Sequence, residues 1–221
     1  FWQYYRKNID YDNANLLSYF NYSLFIEDYQ IICYIEKMKK RVFIAINPSL
    51  DIKEKLAEKQ KEIDRSFNEF CPVKWTKKDN LHITLLFMGN VEMEDVFNAF
   101  EKTEEIAEKV NAFEIEINEI EYFPNNNPRM IWVKGRESKE LKKIQNYLDK
   151  ELFNRGNKEF SPHMTLGRIR QWQFKRIEKE EIPSLGEINL KFRVNSIEVM
   201  ESELKRSGPN YTILKSFPLK A

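Results

Sequence analysis

The sequence predicts an α+β fold of two similar lobes, and three observations carry that expectation. Strand-like and helix-like segments intermix after residue 37 without the regular parallel crossover pattern, which points to mainly antiparallel sheets. The order of segments recurs about halfway along the chain. Both histidines fall in one four-residue motif, and the two copies take the same place in the two halves.

The elements follow in order. The apolar run within 41–46 is a buried strand. Over 51–70, Ile52, Leu56, Ile63 and Phe67 recur among charges at helical spacing, with Pro48-Ser49 near the start. A strand over 81–87 is ended by Gly89-Asn90, a helix from about 93 to 110 turns Val96, Phe97, Phe100, Ile106 and Val110 inward, and 113–120 is a strand. The order then repeats. Residues 129–133 form a strand like 41–45, 140–153 a helix with Leu141, Ile144, Leu148 and Leu152 inside, and 163–166 a strand like 82–85. Arg41 and Arg129 stand 88 positions apart and the histidines 81. These similar offsets suggest two copies of one strand-helix-strand unit, hence two lobes related by a pseudo-twofold axis. Strands over 191–201 and 211–214 complete the sheets, and the loop Asn125-Asn126-Asn127-Pro128 between the copies is the expected hinge or lobe connection.

Residues 1–37 differ from the rest. They hold seven of the ten tyrosines and no Gly, Pro, Val, Thr, His or Met. The segment resembles translated AT-rich DNA and lacks the features of a signal peptide. Residues 1–37 are therefore expected to be an extension upstream of the true start, and 38–221 a single bilobal domain beginning at Met38. The alternative is an amphipathic extension that packs on the domain.

With 36 Lys+Arg against 35 Asp+Glu, the 221-residue chain has a formal charge of +1, which argues against a polybasic nucleic-acid binder held by bulk phosphate neutralisation. Any phosphate recognition must be local. Cys33 and Cys71 cannot form a disulfide framework or a tetrahedral zinc site, so a reducing, cytoplasmic home is the default. No apolar stretch approaches a membrane span, and a soluble protein is expected.

His82-Ile83-Thr84-Leu85 and His163-Met164-Thr165-Leu166 share the form H-x-T-L. With five Thr and 17 Leu in the chain, chance would follow both histidines this way in roughly three cases in a million. Residues i and i+2 of a strand share a face, so each lobe offers one imidazole beside one hydroxyl. If the lobes face each other, two His and two Thr converge. That set suits a phosphodiester: one imidazole takes a proton from the attacking oxygen, the other gives one to the leaving oxygen, and the hydroxyls donate to the non-bridging oxygens. In-line displacement puts attack and departure on opposite sides of phosphorus, which fits bases on opposed lobes. Symmetric motifs leave open which histidine does which. No metal site or cofactor is evident.

Together with Arg41-Val42-Phe43-Ile44-Ala45-Ile46, Asn80 ahead of the first motif, Phe87-Met88-Gly89 after it, Pro128-Arg129 with Trp132, Pro162 and Gly167-Arg168 around the second, and Ser202 to Tyr211, these motifs resemble the two-histidine (2H) phosphoesterase superfamily. Within it they resemble the RNA 2′,3′-cyclic phosphodiesterases, also called 2′-5′ RNA ligases, over residues 38 to about 219. The resemblance implies two sheets with helices on their outer faces and an active-site cleft between the sheets. It implies hydrolysis of RNA 2′,3′-cyclic phosphate ends to 2′-phosphates, with His82 as proton donor and His163 as proton acceptor, and with no metal site evident in the sequence that hydrolysis is expected to be metal-independent. Thr84 and Thr165 would hold the phosphate, and Arg168 would stabilise the phosphorane. Strand parity opposes the last point, since 163 and 168 differ by an odd number. A bulge at Gly167, or reach over the strand end, would reconcile them.

Trp75, Phe160 and Tyr211 are further candidates for base stacking, with Tyr211 counted among the substrate-binding residues, and Lys74, Lys77, Lys78 and Lys205-Arg206 for guiding a polyanion. The expected partner is RNA or an oligonucleotide with a 2′,3′-cyclic phosphate end, bound by a monomer without a membrane. Two rivals remain. One is 2′-5′ ligation, the reverse reaction through the same geometry, and the other is a nucleotide- or RNA-binding module without turnover.

Overall fold

The computed structural model describes residues 39–67, 70–155, 160–206 and 208–221. The extension expected over 1–37, and Met38 itself, lie outside the described residues. Among the described residues, nine strands and four α-helices follow in order: β1 (Lys40–Ile46), α1 (Leu50–Ser66), β2 (Val73–Trp75), β3 (Ile83–Val91), α2 (Met93–Ala107), β4 (Phe113–Phe123), β5 (Met130–Gly135), α3 (Lys139–Phe153), β6 (His163–Ile169), α4 (Gln171–Phe174), β7 (Leu190–Val194), β8 (Ser196–Lys205) and β9 (Gly208–Pro218).

The strands form two sheets, ordered β3-β1-β8-β9 and β2-β6-β5-β4-β7, and every pairing between these strands is antiparallel. The pseudo-twofold expected from the repeat is visible in those orders. β1 and β5 are inner strands, and each is flanked by the strand that carries a histidine motif, β3 or β6. The α+β, two-lobed expectation holds.

Alternation decides which way each sheet faces. In β1, Val42, Ile44 and Ile46 join the main core with Ile52, Leu56 and Ile63 of α1 and Leu141, Ile144 and Leu148 of α3, whereas Phe43 and Ala45 form a separate small cluster with Met200 and Tyr211 on the opposite face. The helices thus cover the outer faces and leave the inner ones to a cleft. Local chemistry sets the helix ends. Ser138 Oγ accepts from Leu141 N at the start of α3, Asn154 ends it in the left-handed region at φ 51°, and Glu92 and Asp95 form a reciprocal box at the start of α2.

Three expectations are corrected. The loop 125–128 connects β4 to β5 within one sheet, so it is a hairpin turn and not the lobe connection. The chain changes sheet instead between β1 and β2, between β2 and β3, between β3 and β4, and between β7 and β8. The run 191–201, read as one strand, is broken at Asn195, and its two parts pair with different sheets. The buried residues shift parity there, from Phe192 and Val194 to Ile197 and Val199. The strand expected to stop at Gly89-Asn90 continues to Val91, because Gly89 at φ 81° accommodates a bulge at Met88.

Candidate active site

His82 follows a single 3-10 turn, Lys78–Asn80, and immediately precedes β3; His163 is the first residue of β6. The two rings are held alike. His82 Nδ1 lies 2.7 Å from the carbonyl oxygen of Asn80, and His163 Nδ1 2.9 Å from that of Ser161, in each case two residues upstream. A carbonyl only accepts, so Nδ1 carries the proton in both rings and Nε2 is the working atom. His82 Nε2 stands 3.0 Å from Thr84 Oγ1, the contact expected from residues i and i+2 of an extended segment.

Both motifs then bulge at the same place. Ala45 pairs Thr84 while Ile44 pairs Leu86, and Trp132 pairs Thr165 while Ile131 pairs Gly167, so Leu85 and Leu166 are extra residues. Past the bulge the parity of the strand reverses. Arg168, out of phase with His163 on paper, therefore lines the same cleft. The extra carbonyl of Leu166 is satisfied by Thr76 N at 2.8 Å and by the side-chain amide of Gln60, also at 2.8 Å. Gln60 is buried on the apolar face of α1, and that polar break in the stripe is the sequence signal for its role.

The cleft holds about 560 Å³ between the sheets, and His82, Thr84, His163, Thr165, Arg168 and Tyr211 all line it. All six residues expected at the site are thus brought together. Aromatic rings wall each imidazole. His82 lies between Phe43, at 4.9 Å, and the edge of Tyr211, at 5.2 Å. His163 packs on Trp132 at 4.3 Å, and Trp132 in turn stacks on Phe123 at 3.7 Å. Neither Phe43 nor Phe123 is singled out by the sequence: Phe43 reads as core because it is an apolar residue in a strand, and Phe123 lies past the strand expected over 113–120. Of the other candidates, Trp75 points its indole N–H at Asp64 of α1 and packs over Gly167, Phe160 packs against the main core, and Lys78 pairs with Glu54.

Burial pushes the His82 imidazole down to about 4, with a smaller push from the Lys53 and His163 charges, against the pull of the Asn80 carbonyl. Above pH 6.5 the imidazole is neutral whether the chain is folded or not. Between pH 6.5 and 4 the unfolded chain takes up a proton that the folded one refuses, so stability falls as pH falls, by about 3 kcal/mol once below pH 4. Between pH 7 and 4.5, urea unfolding of His82→Gln is expected to lose about 2 kcal/mol less stability than the wild type. Equal losses would contradict the burial cost.

A family model for LigT-like phosphoesterases matches residues 46–132 and 134–211, a span that includes both histidine motifs. The chain belongs to the LigT-like phosphoesterase family. It is 31% identical over 185 residues to the RNA 2′,3′-cyclic phosphodiesterase of Methanocaldococcus jannaschii, covering 80% of this chain and 99% of the relative. It is also 31% identical to the protein of that name from Archaeoglobus fulgidus, over 80% of this chain and 99% of the relative. Among solved structures, TT0787 of Thermus thermophilus matches with TM-score 0.68 and 26% identity over 82% of this chain and 98% of the other. Escherichia coli LigT complexed with 3′-AMP shares the fold with TM-score 0.67 at 22% identity, over 83% of this chain and all of that one. This phosphoesterase thus matches these four proteins over nearly their full length.

Proposed function

We propose that this enzyme hydrolyses RNA 2′,3′-cyclic phosphate ends to 2′-phosphomonoesters by proton transfer through His82 and His163. The observation that carries the reading is the shared tautomer: two backbone carbonyls hold both Nδ1 protons, leaving two Nε2 atoms to act in one cleft. Water attacks phosphorus while Nε2 of His163 takes its proton. The bond from phosphorus to the 3′ oxygen breaks, and Nε2 of His82 protonates that oxygen, leaving a 3′-hydroxyl and a 2′-phosphate. Exchange with solvent returns both rings to their starting states. Thr84, Thr165 and Arg168 donate to the non-bridging oxygens as their charge grows. His82 is neutral near pH 7 before substrate binds, so it takes up its proton from solvent as the anionic substrate enters with a charge that offsets the burial opposing imidazolium.

The names of the relatives at 31% identity support this reaction. The donor set supports doing it without a metal, since the described residues lining the cleft include two imidazoles and no carboxylate or thiol. Incubation with an oligoribonucleotide ending in a 2′,3′-cyclic phosphate is expected to yield the 2′-phosphate at the same rate with and without EDTA. An inert wild type would overturn the reaction, and loss on chelation would overturn the metal-free step. The pH profile of kcat/KM is expected to be bell-shaped, with the His82 limb near pH 4. A flat profile between pH 3 and 9 would contradict it.

A further inference from the structure

The cleft carries more positive charge than one cyclic phosphate requires. Arg41, Lys74, Lys77 and Arg168 line it, and among the described residues none that lines it is acidic. The whole chain has a charge of only +1, so the imbalance is local. A cyclic diester brings one negative charge, and two hydroxyls and two imidazoles already face it.

Of these, Arg41 lies over the Phe87 ring at 4.6 Å, and Lys74 stands beside Arg168. Lys74 lies on β2 directly opposite Arg168 of β6. Residues so opposed project from one face with Cβ atoms about 5 Å apart, and like charges there repel. Neither side chain is in an ion pair among the described residues. Lys74 Nζ reaches toward the start of β9 in the other sheet, 3.8 Å from where a Cβ on Gly208 would lie, so it stands where the two lobes meet at the cleft mouth. Arg168 shares a strand with His163 and Thr165, whereas β2 is the edge strand one step further out. An anion beside Lys74 would relieve the repulsion while Arg168 attends to the reacting phosphorus.

We propose that Lys74 binds a second phosphate of the substrate, the internucleotide one on the 5′ oxygen of the terminal nucleoside, and thereby makes the site select a polynucleotide end over a cyclic mononucleotide. The 2′ and 3′ oxygens of that nucleoside are both taken by the cyclic phosphate, so the 5′ oxygen is its link to the remaining chain. The inference rests on the reaction assigned to the site above, and its test separates the two.

The measurement is kcat/KM for three substrates: a 2′,3′-cyclic mononucleotide with a free 5′-hydroxyl, a dinucleotide with the same cyclic end, and that dinucleotide with a neutral methylphosphonate link. The wild type is expected to favour the natural dinucleotide over both others by about tenfold, the worth of one charge-assisted contact. Lys74→Met is expected to erase most of that preference, and to shallow the slope of log kcat/KM against log salt for the dinucleotide by about 0.7. Lys74 is exposed, so the substitution leaves the core intact. Equal wild-type rates with the natural and methylphosphonate links would overturn the subsite, as would a Lys74→Met variant that slows all three substrates by one factor. Wild-type inertness toward all three would overturn the reaction itself.

Discussion

Replacing either histidine by alanine is expected to lower kcat by about 10³-fold, within the range that one positioned acid or base supplies. The double variant should lose little more than either single one, because the two protons move in one step and the second group has nothing to assist once the first is gone. The variants also differ in a way that tests the roles. An aryl phosphodiester with a good leaving group needs no proton on departure. His82→Ala is therefore expected to recover much of its loss on a p-nitrophenyl ester, and His163→Ala to stay impaired. The opposite pattern would exchange donor and acceptor. Because His82 packs against Phe43 and Tyr211, its alanine variant also opens space in a ring cluster. His82→Asn, which keeps a polar group near the Asn80 carbonyl, serves as the second variant, and circular dichroism of each confirms the fold before rates are compared.

The histidines and threonines were legible because a strand carries its own geometry: residues i and i+2 share a face whatever the rest of the chain does. Arg168 was legible only as a conflict. Strand parity placed it on the wrong side, and what reconciles it is a bulge at Leu166 whose stabilising partners, Gln60 and Thr76, are 106 and 90 positions away. No local pattern announces such a partner. β2 was not anticipated, since three residues between Pro72 and Thr76 show neither period. The tautomers were hidden for another reason. Every residue has a carbonyl, and only the folded turn shows that those of Asn80 and Ser161 aim at a ring. The aromatic walls were hidden because Phe43 in an apolar strand looks the same whether it faces core or cleft. The cationic cleft was invisible in a composition that is almost neutral, because its four cations come from β1, the β2 segment and β6, and the acids interspersed with them in sequence point elsewhere.

Gly167 is where fold and chemistry meet most closely. A Cβ there would lie 2.4 Å from Val73 Cγ1, 2.9 Å from Trp75 Cε3 and 3.3 Å from the Lys74 carbonyl. Real Cβ atoms do not approach that near, so β2 must shift away from β6 or the bulge must move. The Trp75 ring cannot easily yield, because its N–H is held 2.7 Å from Asp64 Oδ1. Gly167→Ala is therefore expected to cost about 3 kcal/mol, at the upper end of overpacking, and to lower Tm on the order of 10 °C. Val73→Ala removes the closest clash. The double variant is accordingly expected to be more stable than the sum of the two single costs by about 1 kcal/mol, with the Trp75 contact keeping the rescue partial. Activity should fall with the same change, measured well below Tm, since Gly167 joins the bulged Leu166 to Arg168 and its pairing with Trp75 sets the place of Lys74. A shift of about 1 Å in such positioning groups costs up to 10²-fold. An unchanged Tm in Gly167→Ala would show that β2 packs more loosely on β6 than these distances require, and the close approach would then have no part in placing Arg168.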